Sequence, residues 1–222
     1  IMRKRTKEAL SSGQSVVYDA TNLSQKRRIG LLQELSKIQC RKIVVVMATP
    51  YDDCIRRNMS RERHVPIAVI EKMREGFHIP SKYEGWDAVY IDYPYDCVIN
   101  TRKDFLYDSM DFNQENKNHT ATLGQHCYLT KLGVLCYNDH TLEDAAILHD
   151  VGKLYTKKFI DESKDPDDAH YYNHNNVGAY ECLFYDVEKP LEVAELIQWH
   201  MMPYQWEKDN NTKLMEKYKK LW

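Results

Sequence analysis

The sequence predicts an α/β region with a parallel sheet, followed by an all-helical bundle. Three observations carry this. Up to about residue 100, short β-branched runs alternate with helical patterns, the grammar of a parallel sheet covered by helices. A polar stretch over residues 93–118, with "DYPYD" and "DFNQENKNH", then breaks the alternation. Beyond it the strand signal stops and every clear segment favours helix. The boundary is accordingly drawn at residues 100/101.

In the first region "SVVYDAT" and "RKIVVVMAT" are β-branched runs, and "DAVYI" and "CVINT" read as further strands. The segment "PIAVIEKMREGF" reads as a helix: Pro66 suits its first turn, and Val69, Ile70, Met73 and Phe77 share one apolar face. In the second region "TATLGQHCYLTKLGVLCY", "TLEDAAILHDVGKLY", "HNNVGAYECLFYDV" and "PLEVAELIQWHM" are the helical segments. Thr141 with Asp144 forms an expected capping pair, Pro190 suits a helix start, and Pro203 marks an end.

Composition excludes several classes. The chain is 43% hydrophobic and 29% charged, enough apolar residues for a core, and its net charge of −2 argues against a general polyanion coat. No run of 18 apolar residues occurs, and the start "IMRKRTKEAL" has no apolar signal segment, so a cytoplasmic protein without membrane contact is expected. The six cysteines form no C-x-x-C pair, which points to free thiols and not to a zinc knuckle or a disulfide framework.

Chemistry concentrates in the second region. Seven of the nine histidines follow residue 118. "AAILHDVGK" ends an apolar run in His149, Asp150 and Lys153, and a buried bare charge is too costly to stand without a partner. His200 shares its helical face with Val193, Leu196 and Ile197, which places an imidazole on a buried side. Inward imidazoles on successive helices, joined by a carboxylate, form a donor set suited to a divalent transition metal: manganese, iron, cobalt, nickel or zinc.

The order His126, His149–Asp150, His174, His200 resembles the HD-domain metal-dependent phosphohydrolases, and "AILHDVGK" is similar to their most specific segment. The resemblance covers residues 113–222. It implies one or two metal ions held by His126, His149, Asp150, His174 and His200, with an acidified water attacking phosphorus. It further implies that Asp150 bridges or holds metal, that Lys153 offers a cation to a phosphate oxygen, and that His119 touches substrate or protonates the leaving group. His170 reads as a bystander and His140 as a turn residue. The family's final aspartate has no convincing counterpart; Asp209 is a weak candidate, and the missing ligand is expected beyond "KYKKLW".

The first region resembles the kinase domain of phage polynucleotide kinase-phosphatase and the wider P-loop kinases, over residues 14–92. "DATNLSQKRR" matches the turn near the phosphate acceptor, which implies Asp19, Asn22 and Arg28 as phosphate-site residues. "RRNMSRERHVP" matches the lid, which implies that Arg57 and Arg61, at i and i+4 on a helix, clasp ATP phosphates together with magnesium. No G-x-x-x-x-G-K-[ST] occurs, so the phosphate loop, first strand and general base are expected to precede Ile1, and the C-terminal bundle is expected to continue past Trp222.

Together the two resemblances imply a nucleic-acid end-processing protein, with RNA the favoured polymer. One region would phosphorylate a 5′-OH. The other would remove a 3′-phosphate or 2′,3′-cyclic phosphate. Two other readings stay open: a phosphohydrolase of nucleotides or small phosphate esters, and a non-catalytic metal-binding sensor. Oligomeric state is not legible.

Overall fold

The computed structural model describes residues 2–159 and 168–208. The chain divides into two compact units, Ile1–Cys97 and Val98–Trp222.

In the first unit, helices α1 (Met2–Ser11) and α2 (Gln25–Glu34) precede strand β1 (Ile43–Met47); α3 (Tyr51–Met59) and α4 (Ile67–Glu75) follow, then strand β2 (Ala88–Asp92). The two strands pair in parallel, Ile43 opposite Ala88 through Met47 opposite Asp92. Parallel pairing is what a strand–helix–strand crossover produces. Helix α3 begins after Pro50 with Asp52 and Asp53 in its first turn and Arg56 and Arg57 in its last, so each charge opposes its end of the helix dipole.

Two expected strands are not formed. Residues 14–23, which include "SVVYDAT", adopt neither helix nor strand, and Val17 is 94% exposed. A β-branched run becomes a strand only where a neighbour takes up its backbone hydrogen bonds, and among the described residues none does. "CVINT" contributes a single parallel bridge, Asn100 with Tyr185, inside the second unit. Helix α4 matches its predicted position, with Pro66 as its N-cap, but its apolar face is at most half-buried and Val69 is exposed.

The second unit is helical: α5 (Arg102–Asp108), α6 (Leu123–Val134), α7 (His140–Leu148), the short α8 (Lys153–Thr156), α9 (His174–Glu181), α10 (Pro190–Trp199) and α11 (Met202–Lys208). Strands β3 (Lys158–Phe159) and β4 (Ala169–His170), two residues each, pair antiparallel. The core lies where α6, α7, α9 and α10 meet and holds Leu123, Cys127, Leu148, Val151, Val177, Val193 and Ile197. Part of the expected polar boundary belongs to this unit. Helix α5 buries Phe105 and packs on α6, where Gly124 lets the backbones meet; a Cβ there would lie 2.9 Å from the carbonyl oxygen of Leu106.

Capping differs from expectation at α7. Asp139 is the N-cap and accepts from the N–H groups of Thr141 and Leu142, while Asp144 is buried and paired with Arg102. A carboxylate two residues before the first free amides reaches them directly, so Thr141 is not needed as a cap. Pro190 occupies the first turn of α10 as predicted. Pro203 lies near the start of α11, where proline's missing N–H costs nothing.

Candidate metal centre

Asp150 lies just past the end of α7, where the chain turns into α8, and is 3% exposed. Four imidazoles approach it through Nε2. His126, from α6, and His149, at the end of α7, lie 3.3 Å and 3.2 Å from Oδ2. His174, opening α9, lies 3.3 Å from Oδ1, and His200, at the C-terminal end of α10, lies 3.7 Å from it. The nitrogens also face one another in pairs: His126 and His149 at 3.0 Å, His174 and His200 at 3.3 Å. Each pair forms with Asp150 a three-residue set whose donor atoms all lie within 4.8 Å of one another.

Backbone carbonyls fix the proton on three of these rings. Nδ1 of His149 meets the carbonyl of Ala146 at 2.9 Å, His174 that of Tyr171 at 2.7 Å, and His200 that of Ile197 at 2.6 Å. A carbonyl only accepts, so each Nδ1 carries hydrogen and each neutral Nε2 presents a bare lone pair. Two such lone pairs, His174 and His200, then point at each other across 3.3 Å. They repel unless a cation lies between them. Imidazoles oriented by second hydrogen bonds around a shared carboxylate form a donor set that fits a divalent metal.

Charge follows the same pattern. Burial acts to raise the Asp150 carboxyl, but His149 and the other imidazoles around it outweigh that and hold the group well below its ordinary value. Burial, with His149 beside it, pulls His200 down to about 4, so its ring is neutral at pH 7. Burial also acts to lower His149, yet the Asp150 carboxylate overrides it and the net shift is upward.

Local sequence explains how these side chains meet. The glycine of "HDVGK" lets α8 cross α9: a Cβ on Gly152 would lie 2.0 Å from the carbonyl oxygen of His174. Gly178 faces it across the crossing. Only with glycine at 152 do His149, Asp150 and His174 come within reach of one another.

Lys153 is placed differently from expectation. It is 4% exposed, and its ammonium donates to Asp150 Oδ2 at 2.8 Å, Gln114 Oε1 at 2.8 Å and His119 Nε2 at 3.2 Å. Its three N–H bonds meet three acceptors within the protein, where the sequence reading had offered them to a phosphate oxygen. His119 is half-buried, edge-on to His126 with ring centres 5.7 Å apart. Burial and the Lys153 charge lower its pKa. His170 stacks on Tyr172 and faces Asp168 at 3.6 Å, outside the ligand set, and His140 opens α7. Asp209 lies outside the described residues. Gln114 escaped the sequence reading because "DFNQENKNH" looks like a solvated linker.

The HD domain family matches residues 126–221. The second unit carries an HD domain. The HD domain match begins at His126 and takes in His149, Asp150, His174 and His200. An AAA domain, the P-loop kinase-like class, matches residues 1–80. L-seryl-tRNA(Sec) kinase of Methanococcus maripaludis is 29% identical over 116 residues, 50% of this chain and 43% of that protein. The chain therefore spans less than half the length of this relative. No solved structure matches.

In the kinase-like unit Arg28 and Asn22 meet in one turn. Asp19 is exposed and lies in the stretch without regular structure, and Asn22 follows at φ 42°. Arg28 is 1% exposed; it donates through Nε and Nη2 to Glu84 at 2.8 and 2.6 Å, and through its remaining N–H groups to the carbonyls of Asn22, Leu23 and Ile79. All five donors are engaged, and Arg28 clamps this turn. Arg57 is exposed on α3, but Arg61 lies beyond the helix end at Met59. Asn58 stops the helix by exchanging two hydrogen bonds with the Val65 backbone, both 2.9 Å. Arg57 and Arg61 are therefore not an i, i+4 pair on one helix.

Proposed function

We propose that the HD domain is a metal-dependent phosphohydrolase that removes a 3′-phosphate or 2′,3′-cyclic phosphate from nucleic-acid ends, RNA foremost, in a protein whose kinase-like unit phosphorylates 5′-OH ends with ATP and magnesium. The observation that carries the hydrolase reading is the convergence of four Nε2 atoms on one buried carboxylate. His126, His149 and Asp150 would hold one ion; Asp150, His174 and His200 would hold a second. A bound divalent ion would supply a Lewis acid for the phosphoryl oxygens and a nucleophile at neutral pH. The chain's own residues orient these ligands, exclude water from Asp150, and keep His119 beside the site. The RNA preference draws support from the kinase relative, whose name puts its substrate on a tRNA.

The test is phosphate release from an RNA bearing a 2′,3′-cyclic phosphate, by metal-loaded full-length protein and by Asp150→Ala. Metal-dependent release lost in the variant is expected. Release from mononucleotides alone would contradict the polymer and leave a small-molecule phosphohydrolase. No release from either, with metal still bound, would favour the non-catalytic sensor.

A further inference from the structure

Gln114 is buried in a segment of high polarity, and both ends of its amide are engaged. It is 1% exposed; Nε2 donates to the carbonyl of Ala121 at 3.0 Å, and Oε1 accepts from Lys153 at 2.8 Å. Its backbone carbonyl accepts from the Tyr171 hydroxyl. The amide orientation is forced, because the reverse would set an NH2 group against an ammonium. The link to Ala121 closes the loop that carries His119, and the His119 N–H donates to the Asn116 carbonyl at 2.9 Å within it. Lys153 fills the space between this loop and Asp150 and lies 5.3 Å from the centre of the Tyr171 ring.

The contact with His119 decides a proton position. An ammonium has hydrogens and no lone pair, so the His119 Nε2 facing it at 3.2 Å must accept. The neutral ring then carries its hydrogen on Nδ1. We infer that Gln114 and Lys153 are a positioning pair that holds His119 as the Nδ1–H tautomer, so that His119 meets substrate as a hydrogen-bond donor through Nδ1. Lys153 thus acts through Asp150 and His119, and Gln114 acts through Lys153. The part played in turnover rests on the phosphohydrolase reading above; the tautomer does not.

The experiment separates the two. In the full chain labelled with 15N-histidine and loaded with Zn²⁺, the His119 nitrogen shifts report which ring nitrogen is protonated. Nδ1–H is expected in the wild type and in Gln114→Glu, which keeps an acceptor for Lys153. A move toward Nε2–H is expected in Gln114→Met and Lys153→Met. On the cyclic-phosphate RNA, Gln114→Met is expected to lose about 10- to 100-fold in kcat with KM little changed, the range for removing an outer partner of a site, while Gln114→Glu recovers most of it. Zinc content should match the wild type in Gln114→Met. Nε2–H in the wild type, or an unchanged tautomer in both methionine variants, would overturn the inference. So would loss of zinc in step with activity in Gln114→Met, which would make the glutamine a support of the ligand cage. If the wild type released no phosphate, the labelling result would still decide the positioning, and the phosphohydrolase reading alone would fall.

Discussion

Each unit buries an ion pair, and the two differ in what they leave unmet. In the kinase-like unit Arg28 and Glu84 satisfy each other, with three carbonyls and the Trp86 indole N–H completing the set. In the HD domain Asp150 is paired with Lys153 and is still ringed by four imidazole nitrogens, three with their hydrogen committed elsewhere. The first arrangement is closed and is a structural clamp. The second carries more lone pairs than hydrogens to meet them, which is the mark of a place for a cation. Burial of charge alone does not distinguish the two; donor–acceptor arithmetic does.

The largest break in this comparison is Asp150→Ala. It removes the carboxylate common to both ligand sets, and metal content and phosphate release are both expected to fall to background, read by elemental analysis and a phosphate assay. Next is Gly152→Ala. A methyl driven to 2.0 Å from a backbone oxygen forces α8 and α9 apart, at a cost of about 3 kcal/mol or more in urea unfolding, together with weakened metal binding. Arg28→Met tests the closed pair. It strands a buried Glu84 carboxylate and should destabilise its unit by roughly 3–5 kcal/mol, whereas Arg28→Met with Glu84→Met should recover most of that loss.

Acid sharpens the difference more gently. His200 has an ordinary value of 6.5 and a folded value of about 4. The unfolded chain therefore binds the extra proton between those values, so this ring's contribution is present above pH 6.5 and lost as pH falls toward 4. His149 shifts upward and acts with the opposite sign, its contribution fading as pH rises. Metal loading has one sign only. Protons compete for Nε2, so affinity should drop steadily on acidification below neutrality, as followed by metal titration at each pH. The smallest effect is expected on the exposed surface, where Arg57→Ala should change stability within about 0.5 kcal/mol.

What was legible in the sequence follows from the same physics. His200 was readable from helical periodicity and His149 with Asp150 from the apolar run that precedes them, while His126 and His174 joined the set through the resemblance to HD phosphohydrolases; the structure brings all five together. The paired strands β1 and β2 and the helical second unit were readable from their patterns. "SVVYDAT" misled because a strand needs a partner that its own residues cannot announce. For Arg28 and Lys153 the sequence offered a phosphate partner by resemblance, and only the fold shows every donor occupied inside the protein. Gln114 gave no signal, since one amide among "DFNQENKNH" looks like its neighbours until Lys153 is seen against it. Arg61 left the predicted helix because Asn58 ends it, a contact made with Val65, seven residues on.

The central claim is that the imidazole pairs flanking Asp150 form a metal centre. Anomalous diffraction from crystals of the full protein grown with Mn²⁺ or Zn²⁺ tests it most directly. The account predicts signal bounded by Nε2 of His126 and His149 on one side of Asp150, by Nε2 of His174 and His200 on the other, or at both, and none in Asp150→Ala. Signal elsewhere on the chain, or at these positions with Asp150 removed, would contradict it.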